Sequence, residues 1–225
     1  MNRKKAVIAV CALLVVLSGM IYVSTWQNFD AQGYVQAVLD ETFKGQVKEA
    51  AEIIKAQDEI ELYTHYEEGI DNFLDHNVLS GVEAGEEVRE RYRLLCKDIF
   101  KSVQYEVKPA SQISQREMEV PVEYREVNIF PNFVRTVREE SVLFLAGAEN
   151  GVYKGTKEEI SAQMQTEFLN RSYELLKEAY ENAEYGEAKV MIFKVTGDKK
   201  NVFSVDEAQI SEFIAKILRI DEIQD

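Results

Sequence analysis

The side chains of this chain that best suit chemistry are two histidines. His65 and His76 lie eleven residues apart in a stretch with helical spacing, which puts them on nearly one face but about 16 Å apart along the helix axis. That separation is too large for both to ligate one metal ion. His65, Glu68 and His76 are therefore our ligand candidates. We expect solvated histidines that pair locally at these positions, and we predict neither a metal site nor a cofactor.

Carboxylates offer a second chemistry, because two acidic groups with different pKa values can hydrolyse a glycosidic bond. Such a pair must converge in a cleft, which spacing along the chain does not reveal. We predict that most of these carboxylates form solvated faces, and the identity of any catalytic residue stays unknown. The acidic clusters are Glu67 and Glu68, Asp71 and Asp75, Glu83 to Glu87, and Glu117, Glu119 and Glu123.

The motifs of common enzyme classes are absent from the sequence. It contains no GxSxG nucleophile elbow, no GxGxxG or GxxxxGK[ST] phosphate loop, and no HExxH or CxxC pair. The two cysteines also lie far apart in different kinds of segment: Cys11 is in an apolar stretch, and Cys96 is expected to pack as a small hydrophobic residue. These absences favour a protein that is not an enzyme.

The N-terminal segment has the pattern of a membrane anchor. Residues 6–23 carry no charge, and the next basic residue after the N-terminal cluster is Lys44. A segment of this length reaches about the 30 Å of a bilayer core. We predict a cytoplasmic basic tail at 1–5, a transmembrane helix at 6–26 and an extracytoplasmic domain at 27–225. The residues that orient this anchor are Arg3, Lys4, Lys5, Tyr22 and Trp26.

Part of the same segment has the form of a lipoprotein signal without its cysteine. Leu17, Ser18 and Gly19 suit the positions before a lipid-modified residue, but Met20 stands where the cysteine belongs. A methionine cannot form the thioether. We therefore predict that a helix, in place of a lipid, attaches the protein to the cytoplasmic membrane.

Net charge restricts the partners of the predicted extracytoplasmic domain. Residues 27–225 contain 23 basic and 40 acidic side chains. A domain this acidic is repelled by phosphate backbones and by anionic lipid surfaces. We predict no nucleic-acid partner.

Hydrophobic periodicity predicts four helices, two strands, two helices, two strands and a final helix. The short connections between consecutive strands exclude parallel crossovers, so the fold class is α+β: a helix-rich domain with a small antiparallel sheet, and helices packed on one face. The predicted caps are Asp30, Gly45, Thr156 and Asp206. Because Pro121 has no amide donor, we expect its strand at a sheet edge, or its nitrogen on an unpaired side.

Helical spacing also predicts two long apolar stripes. The first contains Leu62, Tyr63, Tyr66, Ile70, Phe73, Leu74 and Val78. The second contains Ile160, Met164, Phe168, Leu169, Tyr173, Leu176 and Tyr180.

Several segments together resemble a known family. They are FDAQGYVQAVLDETFKG close to a membrane anchor, MEVPVEYREVNIF in the middle, and YGEAKVMIFKV before FSVDEAQISEFI. In these the chain resembles an uncharacterised domain of extracytoplasmic putative lipoproteins from Gram-positive bacteria, over about residues 29–220. The resemblance implies export and surface anchoring, and no known activity. Met20 departs from the family, whose members are commonly anchored through a lipidated cysteine.

These observations support three hypotheses of function. The first is a membrane-anchored extracytoplasmic domain without enzymatic activity that binds an envelope protein or another ligand. The second is an envelope hydrolase that uses paired carboxylates. The third is an accessory subunit of a membrane complex, although residues 6–23 contain neither a GxxxG motif nor a charge that would mark a helix contact.

Overall fold

A computed structural model of the protein describes residues 21–22, 29–54, 58–199 and 202–223. The predicted basic tail, the cysteine-free lipoprotein signal at 17–20, and Trp26 lie outside the described residues. Of the predicted span 6–26, only Ile21 and Tyr22 are described, and they form a two-residue strand instead of part of a helix. Among the described helices, none combines the length and the apolar character needed to cross a bilayer.

The described residues form an α+β fold in which helices outnumber strands. The helices are α1 (Ala31–Lys44), α2 (Val47–Ile54), α3 (Glu59–Phe73), α4 (Glu86–Ser102), α5 (Ile129–Glu149), α6 (Lys157–Glu181) and α7 (Glu207–Ile217). The strands are β1 (Ile21–Tyr22), β2 (Gln104–Val107), β3 (Ser111–Ser114), β4 (Glu117–Val127), β5 (Tyr185–Gly197) and β6 (Val202–Val205). A π-helical turn, Leu74–Val78, extends α3, and a 3₁₀ turn, Ile220–Glu222, follows α7.

All strand pairs in the sheet are antiparallel, and the strand order is β1-β6-β5-β4-β2, with β3 also paired to β4. Side chains alternate along β4, so that Val120, Val122 and Tyr124 are buried on one face. Helices α1 and α7 pack against this face. The opposite face carries charged side chains such as Glu119 and exposed apolar ones such as Val190, and it stays open, which confirms the prediction of a sheet covered on one side.

Aromatic rings fill the space between the sheet and its helices. Phe213 of α7 lies 5.1 Å from the ring of Tyr124 and 5.3 Å from that of Phe193, measured between centroids. It also lies 6.0 Å from Phe43 of α1 and 6.3 Å from Tyr105 of β2. One fully buried ring therefore touches both central strands, the neighbouring strand and the first helix.

Strand β3 and the place of Pro121 differ from the prediction. The polar loop after β2 contains β3, which pairs with β4 although all four of its side chains are exposed. Pro121 lies in the central strand β4, so the prediction of an edge strand was wrong and the predicted alternative, a nitrogen on an unpaired side, is confirmed. The Lys108 amide donates to the Pro121 carbonyl over 2.8 Å, which shows that the Pro121 nitrogen faces the same side, in the gap between β2 and β3.

The two predicted apolar stripes are each buried only in part. In α3, Leu62, Tyr66 and Ile70 face the core, whereas Tyr63 is half exposed because it lies about 100° away around the helix. In α6, the second half packs inside, through Leu169 and Leu176. Its first half extends beyond the core as one arm of the α5–α6 hairpin, and its apolar side chains are only partly covered.

The end of α1 is fixed by a glycine packed against a ring. Gly45 has a left-handed φ of 65° and donates its amide to the Glu41 carbonyl. A Cβ at this position would lie 2.8 Å from Cε1 of Tyr66, which is closer than side chains tolerate. Both the backbone and the space therefore require glycine.

We predict that Gly45→Ala destabilises the protein more than Gly81→Ala does. Both glycines have positive φ, so both substitutions carry a backbone penalty of about 1 kcal/mol. A Cβ at Gly81 meets nothing within 4 Å, so only Gly45→Ala must displace Tyr66. We expect a further loss of about 1–3 kcal/mol, measured by urea unfolding. Equal losses in the two variants would show that the Tyr66 contact yields at little cost.

Candidate functional site

The three ligand candidates from the sequence do not form one site. His65 is half-buried on α3, and its buried Nδ1 has no hydrogen-bond partner. His76 is exposed in the π-helical turn, with Nδ1 2.7 Å from the Asn72 carbonyl one helical turn earlier. Glu68 is exposed. In the described ranges, no group of three or more His, Cys, Asp or Glu side chains is placed to hold a metal ion.

The acidic clusters of α3 pair with basic residues of α4. Arg93 donates to both carboxylate oxygens of Asp71, at 2.7 and 3.1 Å, and Lys97 lies 2.6 Å from both oxygens of Glu67. Although burial raises it, the pKa of Glu67 is lowered by the hydrogen bonds from Lys97 and Tyr63. These carboxylates thus join two helices. We had predicted that they form solvated faces, so the prediction was wrong for Asp71 and Glu67.

The glutamates of the strand face lie on the open side of the sheet. Glu117, Glu119 and Glu123 alternate with the buried residues of β4, and Glu119 pairs in register with Lys194. Glu123 lies 3.9 Å from Lys108. These glutamates are therefore half-buried on the open side of the sheet, and Glu119 and Glu123 lie next to basic residues.

Glu41 is an acidic residue that the sequence analysis missed. It lies on α1 in line with Tyr34 and Val38, at helical spacing from both, and this spacing is the signal that could have revealed it. Burial raises its pKa from 4.5 to about 8, and a long contact from the Thr42 hydroxyl, at 3.5 Å, opposes the shift only weakly. Burial therefore favours the protonated form of this carboxyl group in the folded protein.

The neighbour of Glu41 along the chain shows the opposite behaviour. Asp40 accepts hydrogen bonds from Tyr105 at 2.5 Å and from Gln36 at 2.7 Å, and it pairs with Lys44 at 2.5 Å. Although burial raises the pKa of Asp40, these bonds lower it overall. Neither Asp40 nor Glu41 lines the clefts described below, so this pair of unlike carboxyl groups has no substrate pocket among them.

Exposed aliphatic side chains concentrate at the tip of the α5–α6 hairpin. Among the described residues, four of the ten large hydrophobic side chains that are exposed lie in the last two turns of α5 and the loop that follows. We call these four residues the distal patch. They are Val142, Leu143, Leu145 and Val152, with 64, 69, 62 and 66% of their surfaces accessible.

Polar contacts connect the tip of the hairpin to α6 and join its two helices. The Tyr153 hydroxyl donates to Glu167 over 3.0 Å, and Thr156 and Glu159 form the predicted capping box. Arg171 joins the two helices through a bidentate pair with Glu140, at 2.5 and 2.7 Å. The distal patch is thus displayed on a braced hairpin.

Clefts flank the tip on both sides of α6. One, of about 680 Å³, lies between the hairpin and the turn before α4, and its walls include Val82, Leu145 and Met164. Another, of about 700 Å³, lies beside Val152 and Tyr153. Both adjoin the distal patch and extend the surface that a partner would contact.

A third cleft, of about 570 Å³, contains glutamates between Arg91 and Arg171. Its acidic residues all have partners: Glu140 pairs with Arg171, Glu167 with Tyr153, and Glu174 with Arg91 at 3.8 Å. The hydrogen bond from Arg171 lowers the pKa of Glu140. Two of its three carboxylates are therefore already paired with arginine, and the third accepts a hydrogen bond from a tyrosine.

Charge around the distal patch is negative. Between residues 139 and 168 the chain has six glutamates and two lysines. Such a border repels the anionic surface of a bilayer and attracts basic groups.

The hairpin is rooted at the end of the sheet opposite β1. Strand β1 pairs with Val202 and Phe203, near the end where Glu117 faces Thr196. Helix α5 leaves the sheet just after Val127, which faces Tyr185 at the other end, and α6 returns to that end. The strand β4 between these ends has 11 residues, so the two ends are separated by about 33 Å.

Comparisons with known proteins give one structural likeness. No protein-family model and no curated protein matches the chain. Among solved structures, it is similar to the crystal structure of a putative lipoprotein, YcdA, from Bacillus subtilis, with a TM-score of 0.49 and 13% sequence identity. The match covers 82% of this chain and 54% of that chain, so this chain spans about half the length of the protein that it matches. That protein is described as a putative lipoprotein, as is the family that the sequence resembles.

We predict that Glu41→Gln removes a pH dependence from the stability of the protein. The carboxyl group has a pKa near 4.5 when unfolded and about 8 when folded. Its contribution to stability is therefore complete below pH 4.5 and is lost as the pH rises to about 8. The wild-type free energy of unfolding should fall by up to about 1.4 kcal/mol per pH unit in this window.

Urea unfolding between pH 4.5 and 8.5 tests this prediction. The free energies of unfolding of wild type and Glu41→Gln should differ least at pH 4.5. As the pH rises to about 8, the variant should become more stable relative to the wild type. Glu68→Gln removes a charge from the exposed side of α3 and controls for net charge. A difference between wild type and Glu41→Gln that stays constant with pH would mean that Glu41 is ionised in the folded protein.

Proposed function

We propose that this protein is a membrane-tethered extracytoplasmic module that binds another protein through its distal patch. The observation that carries the proposal is the concentration of four exposed aliphatic side chains on a braced hairpin. Water-exposed aliphatic clusters are costly, and in soluble domains they mark interaction surfaces. The apolar segment 6–23 with its basic flank supports the tether.

The partner is a protein that presents aliphatic side chains bordered by lysine or arginine. Its aliphatic residues would cover Leu143 and Leu145, and its basic border would face the glutamates around the tip. Charge complementarity of this kind mainly increases the association rate and excludes acidic competitors. The same negative border argues against a bilayer as the occupant of the patch.

The position of the hairpin supports this assignment. Because β1 lies at the C-terminal end of the predicted span 6–26, the end of the sheet that contains β1 is the end nearer the membrane. The hairpin starts at the opposite end, so its root is separated from the membrane-proximal end by the length of β4. A partner protein in the envelope can therefore contact the hairpin on the side away from the membrane.

The hydrolase hypothesis has weaker support from the geometry. It needs a protonated and an ionised carboxyl group that face one cleft. Glu41 has the raised pKa but does not line the described clefts, and the glutamates of the third cleft are paired with arginine or tyrosine. We therefore favour binding over catalysis.

Site-specific photocrosslinking in intact cells tests the proposed function. A photoreactive residue at position 143 or 145 of the full-length protein should capture one and the same protein, identified by mass spectrometry. Leu94, which is exposed on α4, provides the matched control and should not capture it. The crosslinked peptide of the partner should contain aliphatic residues bordered by lysine or arginine.

Binding to the purified partner gives the quantitative test. Because burial of a leucine side chain contributes about 1.5–3 kcal/mol, Leu143→Ala should weaken binding about tenfold or more. Leu94→Ala should leave it unchanged. The proposal fails if positions 94 and 143 capture the same proteins, if the captured peptide is acidic, or if position 143 crosslinks only to lipid.

A further inference from the structure

Most of strand β5 has no neighbour on one side. It pairs with β4 along nearly its whole length, but β6 covers only Val195 to Gly197 on the other side. The described part of the chain places no strand beside residues 188–192. We call these five residues the open edge.

The direction of the backbone groups on β5 follows from Gln209. Its amide oxygen accepts from the Lys194 N–H at 2.9 Å, and its amide nitrogen donates to the Lys194 carbonyl at 3.3 Å. Lys194 thus points its backbone groups away from β4. Because a strand alternates with period two, Ala188, Val190 and Ile192 point theirs in the same direction. Three N–H and three carbonyl groups therefore face outward from the open edge.

Both ends of the open edge are closed to a further strand. On one side Gln209 already occupies the backbone groups of Lys194. On the other side the register shifts by a bulge between Tyr185 and Ala188, and the Gly186 carbonyl accepts from Arg125 at 2.9 Å. An added strand therefore has five residues available, with Val190 at their centre.

The open edge has one of the usual protections against strand pairing, the charge of Lys189, and Glu126 of β4 already pairs with that charge at 2.6 Å. Proteins commonly shield an edge with proline, with inward-pointing charges or with a covering element. Here Val190 is 59% accessible and Ile192 is 41% accessible on the open face of the sheet. Both are β-branched residues that suit a paired strand.

We propose that the open edge pairs with the open edge of a second copy of this chain, antiparallel, about a two-fold axis at Val190. In this register Val190 faces Val190 of the other copy, and Ala188 faces Ile192. All three pairs lie at hydrogen-bonding positions and exchange six backbone hydrogen bonds. The two sheets become one continuous sheet, and the contact is closed because both copies use the same surface.

Charge and free backbone groups select this register over its neighbours. Moving the axis to Lys189 places two lysines directly opposite each other, which is destabilising. Moving it to Met191 sets Ala188 against Lys194, whose backbone groups are bound by Gln209. Only with the axis at Val190 does each of the five residues face one of the same five residues in the other copy, with no like charges opposite each other. This self-complementarity identifies a second copy as the occupant, and the contact is separate from the distal patch.

Disulfide crosslinking of the full-length protein in vesicles tests the register. Cys11 is replaced by serine, and Cys96 is kept because it is fully buried and burial raises its pKa to about 12. In the proposed dimer the Cα atoms at position 190 lie about 5.5 Å apart, within disulfide range. Under mild oxidation Val190→Cys should give at least tenfold more dimer than Ile192→Cys alone. Mixing Ala188→Cys chains with Ile192→Cys chains should restore the crosslink.

Two further variants keep the test decisive. Val142→Cys, which is exposed on the distal patch, measures random collision, and equal yields at 142, 190 and 192 would overturn the proposal. Val190→Pro removes only an outward N–H and leaves the ladder with β4 intact, so it should lower the 188–192 crosslink about tenfold while circular dichroism stays unchanged. Three further results would each contradict pairing with a second copy. They are an unchanged crosslink in Val190→Pro, the absence of a crosslink at position 190, and a crosslink in cells between position 190 and another protein.

Discussion

Phe213 connects parts of the chain that are far apart in sequence, and the rest of the fold depends on its burial. Its ring contacts Tyr124 and Phe193 of the central strands and Phe43 of the first helix. The buried apolar side chains of the sheet lie on one face, so α1 and α7 both pack on that face and exclude water from it. The packing of this aromatic cluster leaves the other face of the sheet open.

A one-sided core also explains why the candidate interaction surfaces lie where they do. Helices α5 and α6 bury their ends near the sheet, through Phe130, Phe133 and Leu176, and have no core to cover beyond that. The apolar side chains at their tip therefore stay exposed. The open edge of β5 has a similar origin, because β6 ends after four residues and the chain then turns into α7 on the inner face.

Charged residues have a mainly structural role in this domain. The acidic side chains of α3 are bound by Arg93 and Lys97 of α4, which lie across from them. Such partly exposed ion pairs each contribute about 0–1 kcal/mol, so they align the two helices more than they stabilise them. Glu41 is different, because among the described residues no cation pairs with its carboxyl group, and burial raises its pKa to about 8. The net negative charge that remains selects basic partners and disfavours anionic surfaces.

The sequence by itself determined the α+β class, the seven helices and most helix ends, because helical spacing and caps such as Asp30, Gly45 and Thr156 are local features. It also predicted the buried Cys96 and the sheet covered on one face. It could not show that the first half of the α6 stripe is exposed, since periodicity records which face is apolar but not whether anything covers it. For the same reason Tyr63 was assigned to the core, and β3, which has no apolar side facing the interior, was missed. The ion pairs of α3 with α4, the burial of Glu41 and the open edge of β5 join or separate residues that are distant along the chain. Only the tertiary structure decides these, because they depend on which elements pack together and where a neighbouring strand ends.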